Sequence, residues 1–166
     1  MIEKGGLKWW QRKLGRNVTS KDIEDIFPVR ASLESLAAGL AVPNINEKEI
    51  EIFNDLIIKM ENSLPEKDIK SFLRFNYIFH SVFIKACGNQ VLERTLKNLG
   101  KGVWLRVAFL YYNSPSGLNV SNNMHKKIAE AFQNKNPVSV EKFVNEHMEH
   151  AKQELMIGLE TNQVIR

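Results

Sequence analysis

Residues 72–89, FLRFNYIFHSVFIKACGN, leave this chain little choice of local structure. Phe72, Asn76, Phe79, His80, Phe83 and Cys87 recur at steps of three and four, the period of one buried helix face. Asn76 and His80 lie four apart, so their side chains stack a turn apart on that face. The face that should pack the core thus carries an amide and an imidazole, and buried polar groups cost free energy unless they find partners. Gly88 offers a left-handed stop, and Asn89 can cap the next helix. A lone histidine on an apolar face is most often a hydrogen-bonded core residue. What the other helices bring to it decides the matter.

The rest of the chain also reads as helix. Ser20 is an N-cap for KDIEDIF, and Pro28 interrupts, restarting a helix at its first position. Residues 29–41 then present Leu33, Leu36, Ala37 and Leu40 inward, with Arg30 and Glu34 spaced to pair. Asn46 and Glu49 form a capping box for a helix with Ile50, Phe53, Ile57, Met60 and Leu64 inside. Residues 90–112 form a long helix with Leu92, Leu96, Leu99, Val103, Val107 and Leu110 inward, weakened at Gly100 and Gly102. Residues 113–119 are a loop by composition. A shorter helix over 121–135 buries Met124, Ile128, Ala131 and Phe132. Ser139 caps the last helix, which runs to about Glu160 with Val140, Phe143, Val144, His147, Ala151 and Leu155 inside. No strand pattern, repeat or low-complexity run occurs, so the fold class is all-α. At 166 residues the chain is long enough for one domain with a substantial core.

Charge narrows the partners. Residues 1–16 carry Lys4, Lys8, Arg12, Lys13 and Arg16 against Glu3, a balance of +4, which is the whole net charge. The remaining 18 basic and 18 acidic residues cancel, so the body of the domain offers no electrostatic case for nucleic acid. The basic segment also holds Trp9 and Trp10, a pattern that could touch nucleic acid or an anionic membrane. The simpler reading, adopted here, is a linker or tail whose tryptophans dock on the domain. Cys87 alone excludes an internal disulfide and suits a reducing compartment. With no apolar run of bilayer length and no signal-peptide core, the expected location is cytoplasmic, without a membrane partner.

His80, His125 and His147 fall at or near the inner faces of three different helices. Three neutral imidazoles meeting in a bundle make a site for a divalent transition metal such as zinc, nickel or manganese. Asn76 could add an oxygen ligand or hydrogen-bond a bound molecule. Arg106, inside the apolar run LRVAFLYY, either faces solvent or binds an anion in a cavity. No nucleophile elbow, phosphate loop, HExxH or paired-carboxylate pattern is present. No acidic residue falls on an expected inner face, so an enzyme is not expected, although a three-His metal with open positions can activate water or oxygen.

From about Asp22 to Leu155 the chain resembles the FCD domain, the C-terminal ligand-sensing domain of GntR-family bacterial transcription regulators. DIEDIFPVRASLESLAAGLA looks like the opening helix of that family, with its Arg and Glu at Arg30 and Glu34. FNYIFHSVFIKACGN looks like its Asp-x-x-x-His helix and following Gly-Asn. His125 in MHKKIAEAF and His147 in FVNEHMEH fall where the last two helices carry ligand histidines. The resemblance implies an antiparallel bundle of six or seven helices enclosing a central ligand and metal cavity. It implies that an Asp and three His hold a metal there, that the metal helps bind a small carboxylate effector, and that a homodimer presents winged-helix domains to DNA.

Two departures bear on function. Asn76 stands where the family has the ligand Asp, which weakens the site and leaves a bound metal its full positive charge. Residues 1–19 are too short for a winged helix, so they are expected to be a linker or wing remnant. The sensing domain then spans 20–160, and 161–166 is a frayed tail. The resemblance makes His80, His125, His147 and Asn76 the metal candidates and Arg30, Arg106 and Asn76 the effector contacts. The rivals are a metal-free organic-acid-binding domain, a small three-His enzyme, or a function seated in the N-terminal segment.

Overall fold

The first helix, α1 (Ser20–Ala41), starts at a capping box one residue earlier than Ser20 suggests. Thr19 Oγ1 accepts from Asp22 N at 3.2 Å, and the Asp22 carboxylate accepts from Thr19 N at 2.9 Å. These residues belong to a computed structural model that describes residues 19–100 and 116–164. Pro28 does not interrupt α1, which runs straight through it. A mid-helix proline costs about 3 kcal/mol. Here the buried Ile23, Phe27 and Ala31 anchor the helix on both sides of it.

α1 faces a different way from the leucine stripe read above. Ile23, Phe27, Arg30, Glu34, Ala37, Ala38 and Ala41 are buried, while Leu36 is 48% exposed and Leu40 42%. Small side chains let α1 lie close along the last helix; a Cβ on Gly39 would run into the Glu141 side chain there. Close packing of alanine faces therefore outweighed the larger leucines.

A 3₁₀ turn, Val42–Asn44, leads to α2 (Glu47–Ser63), capped by the expected Asn46–Glu49 box. Helix α3 (Ile69–Ala86) is capped by Asp68, whose Oδ1 accepts from Ser71 N at 3.1 Å. The inner face read from the sequence is the buried one, from Phe72 through Asn76 and His80 to Cys87. Gly88 has φ +71°, the left-handed stop, and Asn89 Oδ1 accepts from Leu92 N at 3.0 Å to open α4 (Gln90–Gly100).

Helix α5 (Ser116–Gln133) is already helical at Ser116, inside the stretch expected to be loop. The last helix, α6 (Pro137–Val164), is capped by Asn136 rather than Ser139: Asn136 Oδ1 accepts from Ser139 N at 3.0 Å, and Pro137 takes the first helical position. It continues past Glu160, so residues 161–164 of the expected frayed tail are its final turn. The N-terminal segment 1–18, the second half of the expected 90–112 helix and Arg106 lie outside the described residues.

α1 packs on α6, α3 and α4; α2 packs on α3 and α5; α5 packs on α6. The turns between α2 and α3 and between α5 and α6 are too short for a crossover, so these neighbours run antiparallel. Among the described residues the architecture is six helices and no strand. Phe53, Phe79, Phe83 and Phe132 stack at its centre, with Phe53 4.6 Å from Phe79 and 5.2 Å from Phe132 between ring centroids. No described helix is long and apolar enough to cross a membrane.

Candidate metal centre

Above this aromatic floor, α3, α5 and α6 each deliver one histidine to the same point. His80, His125 and His147 are 2%, 0% and 3% exposed, and one nitrogen from each lies within 4.8 Å of the others. His80 Nε2 and His147 Nε2 are 3.1 Å apart. Two nitrogens bound to one tetrahedral zinc at 2.0–2.1 Å sit roughly 3.3–3.4 Å apart. The closest pair is thus already at about ligand spacing. Phe79 packs on His125 with centroids 4.6 Å apart and holds that ring from below.

The cluster leaves nitrogens without partners. Among the described residues, neither nitrogen of His125 has a hydrogen-bond partner, nor does His147 Nδ1, and all three are buried. Buried polar atoms left this way cost roughly 1–3 kcal/mol each. A divalent cation takes one lone pair from each ring, so it would engage one of the two His125 nitrogens, and three converging imidazoles are a donor set that fits a metal. Burial first, and then the neighbouring imidazoles, push His125 and His147 well below the usual histidine range, which keeps both neutral and their lone pairs free.

α1 supplies what the sequence reading lacked, a buried carboxylate on an inner face. Glu34 is 0% exposed; its Oε1 takes Nε and Nη2 of Arg30, and its Oε2 lies 2.5 Å from His80 Nδ1. Burial would raise this carboxyl, but the Arg30 guanidinium and then the His80 imidazole outweigh it and hold its pKa at about 2. An ionised carboxylate can only accept, so His80 Nδ1 carries the proton and donates. That leaves Nε2 to face the cluster, the arrangement in which a carboxylate braces a metal-binding histidine. The signal for Glu34 was present: Ile23, Phe27, Arg30, Glu34, Ala37 and Ala41 step by four and three. The sequence reading took the two only as spaced to pair along the helix, with Arg30 also an effector candidate.

Asn76 is buried one turn before His80 and reaches a cavity of about 10 Å³. His147 and Ser121 share that cavity, along with Phe72, Leu118 and Met148. Ser121, one turn before His125 on α5, was not singled out in the sequence. Arg30 pairs with Glu34, which in turn contacts His80. Arg106 lies outside the described residues, so the structure places three of the expected metal candidates together and brings Asn76 beside them.

The fold and this centre define an all-helical domain built around a buried polar core. A family profile described as FCD domain matches residues 25–150. A relative described as an uncharacterized HTH-type transcriptional regulator, YdhC of Bacillus subtilis strain 168, is 24% identical over 164 residues, covering 96% of this chain and 73% of its own. E. coli McbR/YncC superposes with a TM-score of 0.75 at 18% identity, over 89% of this chain and 68% of its own. The metal-free FCD domain of TM0439 superposes at 0.68 and 19% identity, over 87% of this chain and 98% of its own. The chain belongs to the FCD domain family, the helical domain of GntR-type transcription regulators.

Proposed function

We propose that this domain senses a small carboxylate through a divalent metal held by His80, His125 and His147, in a cytoplasmic, dimeric GntR-type regulator. One observation carries the reading: three buried imidazoles converge, two of them with nitrogens unpaired among the described residues, and Glu34 orients the third so that its Nε2 faces the others. The bound metal supplies a Lewis-acid anchor for an anion. This chain's residues supply the rest. Glu34 fixes the His80 tautomer, the Phe79 ring backs His125, and Asn76 gives a neutral oxygen beside His147.

The charge balance explains why the effector should be an anion. Arg30 and Glu34 cancel, and three neutral imidazoles with an amide add nothing. A dipositive ion in this pocket is therefore uncompensated until a carboxylate joins it. Metal and effector then bind cooperatively, each raising the affinity of the other by the same factor.

A second reading keeps the pocket and drops the metal: the histidines and Asn76 hydrogen-bond an organic acid directly. It is favoured by the amide at position 76 and by the metal-free form of the similar TM0439 domain. Elemental mass spectrometry on protein purified without a metal-affinity tag separates the two. We expect near-stoichiometric zinc, nickel or manganese in the wild type, lost in His80→Ala and bound more tightly in Asn76→Asp. Metal appearing only in Asn76→Asp would establish the metal-free reading instead.

A further inference from the structure

The cavity beside Asn76, Ser121 and His147 is about 10 Å³, room for about one water molecule and too little for a carboxylate. A second pocket of about 250 Å³, large enough for a small organic acid, is lined by the same Phe72 and Leu118. These two side chains line both spaces, and both are buried, 1% and 3% exposed. They are the side chains common to the outer pocket and the small cavity that His147 lines. Leu64 and Ile69 complete the apolar lining of the outer pocket, and Lys67, Asp68 and Asn119 add polar groups to it.

We infer that Phe72 and Leu118 form a gate, and that the outer pocket receives the apolar body of an effector whose carboxylate passes the gate to the histidines. The inference rests on the metal-centred reading above. Its physical basis is a mismatch of volumes: the inner cavity cannot admit the anionic group unless its walls shift, and a shift of Phe72 and Leu118 merges it with a space that has room for a tail. Both gate residues stand one helical turn from the polar groups they screen, Phe72 before Asn76 on α3 and Leu118 before Ser121 on α5. Displacing them reaches the two helices that carry His80 and His125. The ligand class is a monocarboxylate with an aliphatic or aromatic body, in preference to acetate.

The test uses wild-type protein loaded with zinc, titrated by calorimetry with acetate and with hexanoate, alongside zinc release to excess chelator followed in time. Hexanoate should bind at least tenfold more tightly than acetate. Phe72→Ala and Leu118→Ala should each release zinc at least tenfold faster. Because a core truncation can unfold the domain, a blocking variant complements them. Asn119→Cys is exposed on the outer pocket, whereas the native Cys87 is buried, so a bulky maleimide reports on position 119. Its label should abolish the preference for hexanoate and slow zinc release. Equal or undetectable binding of the two acids, or unchanged release rates in folded Phe72→Ala and in the labelled protein, would overturn the gate and leave the metal centre standing. Failure of wild type to bind zinc at all would overturn both.

Discussion

Glu34 answers two demands at once: Arg30 needs its charge, and His80 needs its lone pair. Glu34→Gln keeps the shape and removes the charge that faces the buried Arg30 guanidinium, and removing one partner of a buried pair typically costs about 3–5 kcal/mol. It also loosens the His80 tautomer, and loss of such a bracing carboxylate lowers metal affinity by about 10–100-fold. The two effects separate in the double variant Arg30→Met/Glu34→Leu, which deletes both charges. Denaturant melts should show most of the lost stability restored, while chelator competition should show metal affinity still low. Wild-type affinity in the double variant would mean that Glu34 serves packing alone. At this scale the three histidines were legible because each repeats with apolar neighbours at helical spacing. Glu34 was legible only in the stripe of Ile23, Phe27, Arg30, Ala37 and Ala41, which the leucines outweighed, and Ser121 was not, since a serine carries no period of its own.

Among elements, α1 shows where pattern reading fails. Its leucines are larger than its alanines, so any scale weighted by apolar area turns Leu36 and Leu40 inward. The structure keeps Ala37 inward as read and turns Ala38 and Ala41 inward in place of Leu36 and Leu40, because close approach between helices rewards small side chains. The consequence is measurable. Ala38→Leu, at a position with 0% exposure, should cost about 1–3 kcal/mol by overpacking. Leu36→Ser, nearly half exposed, should change stability by no more than about 0.5 kcal/mol in the isolated domain. The reverse ranking by thermal or chemical melts would restore the leucine face. Helices α2 and α3 had less ambiguity, since the faces read from Phe53, Phe72, Phe79 and Phe83 are the buried ones. Helix limits were less legible than faces, because Thr19 and Asn136 cap as well as the serines that follow them nearby.

For the whole molecule, the buried centre makes folding a function of pH. In metal-stripped protein, His125 and His147 sit below the ordinary value of 6.5 because burial and then neighbouring imidazoles disfavour their charged forms. The unfolded chain therefore binds protons below pH 6.5 that the folded chain refuses, and stability must fall as pH drops through that value. Two such groups give a slope of up to about 2.7 kcal/mol per pH unit, at roughly 1.36 kcal/mol each. Glu34 acts lower on the scale: its contribution is complete above its unfolded value of 4.5 and is lost as pH falls towards about 2. Stability should thus be flat from pH 8 to 7, decline steeply between pH 6 and 5, and decline further below pH 4. Bound metal opposes the first decline, since protons and metal compete for the same nitrogens, so saturating zinc should move the onset to lower pH. Urea melts from pH 8 to 4, with and without zinc, measure both effects. A metal-stripped domain equally stable at pH 7.5 and pH 5.5 would show that water reaches these imidazoles and that the centre is open.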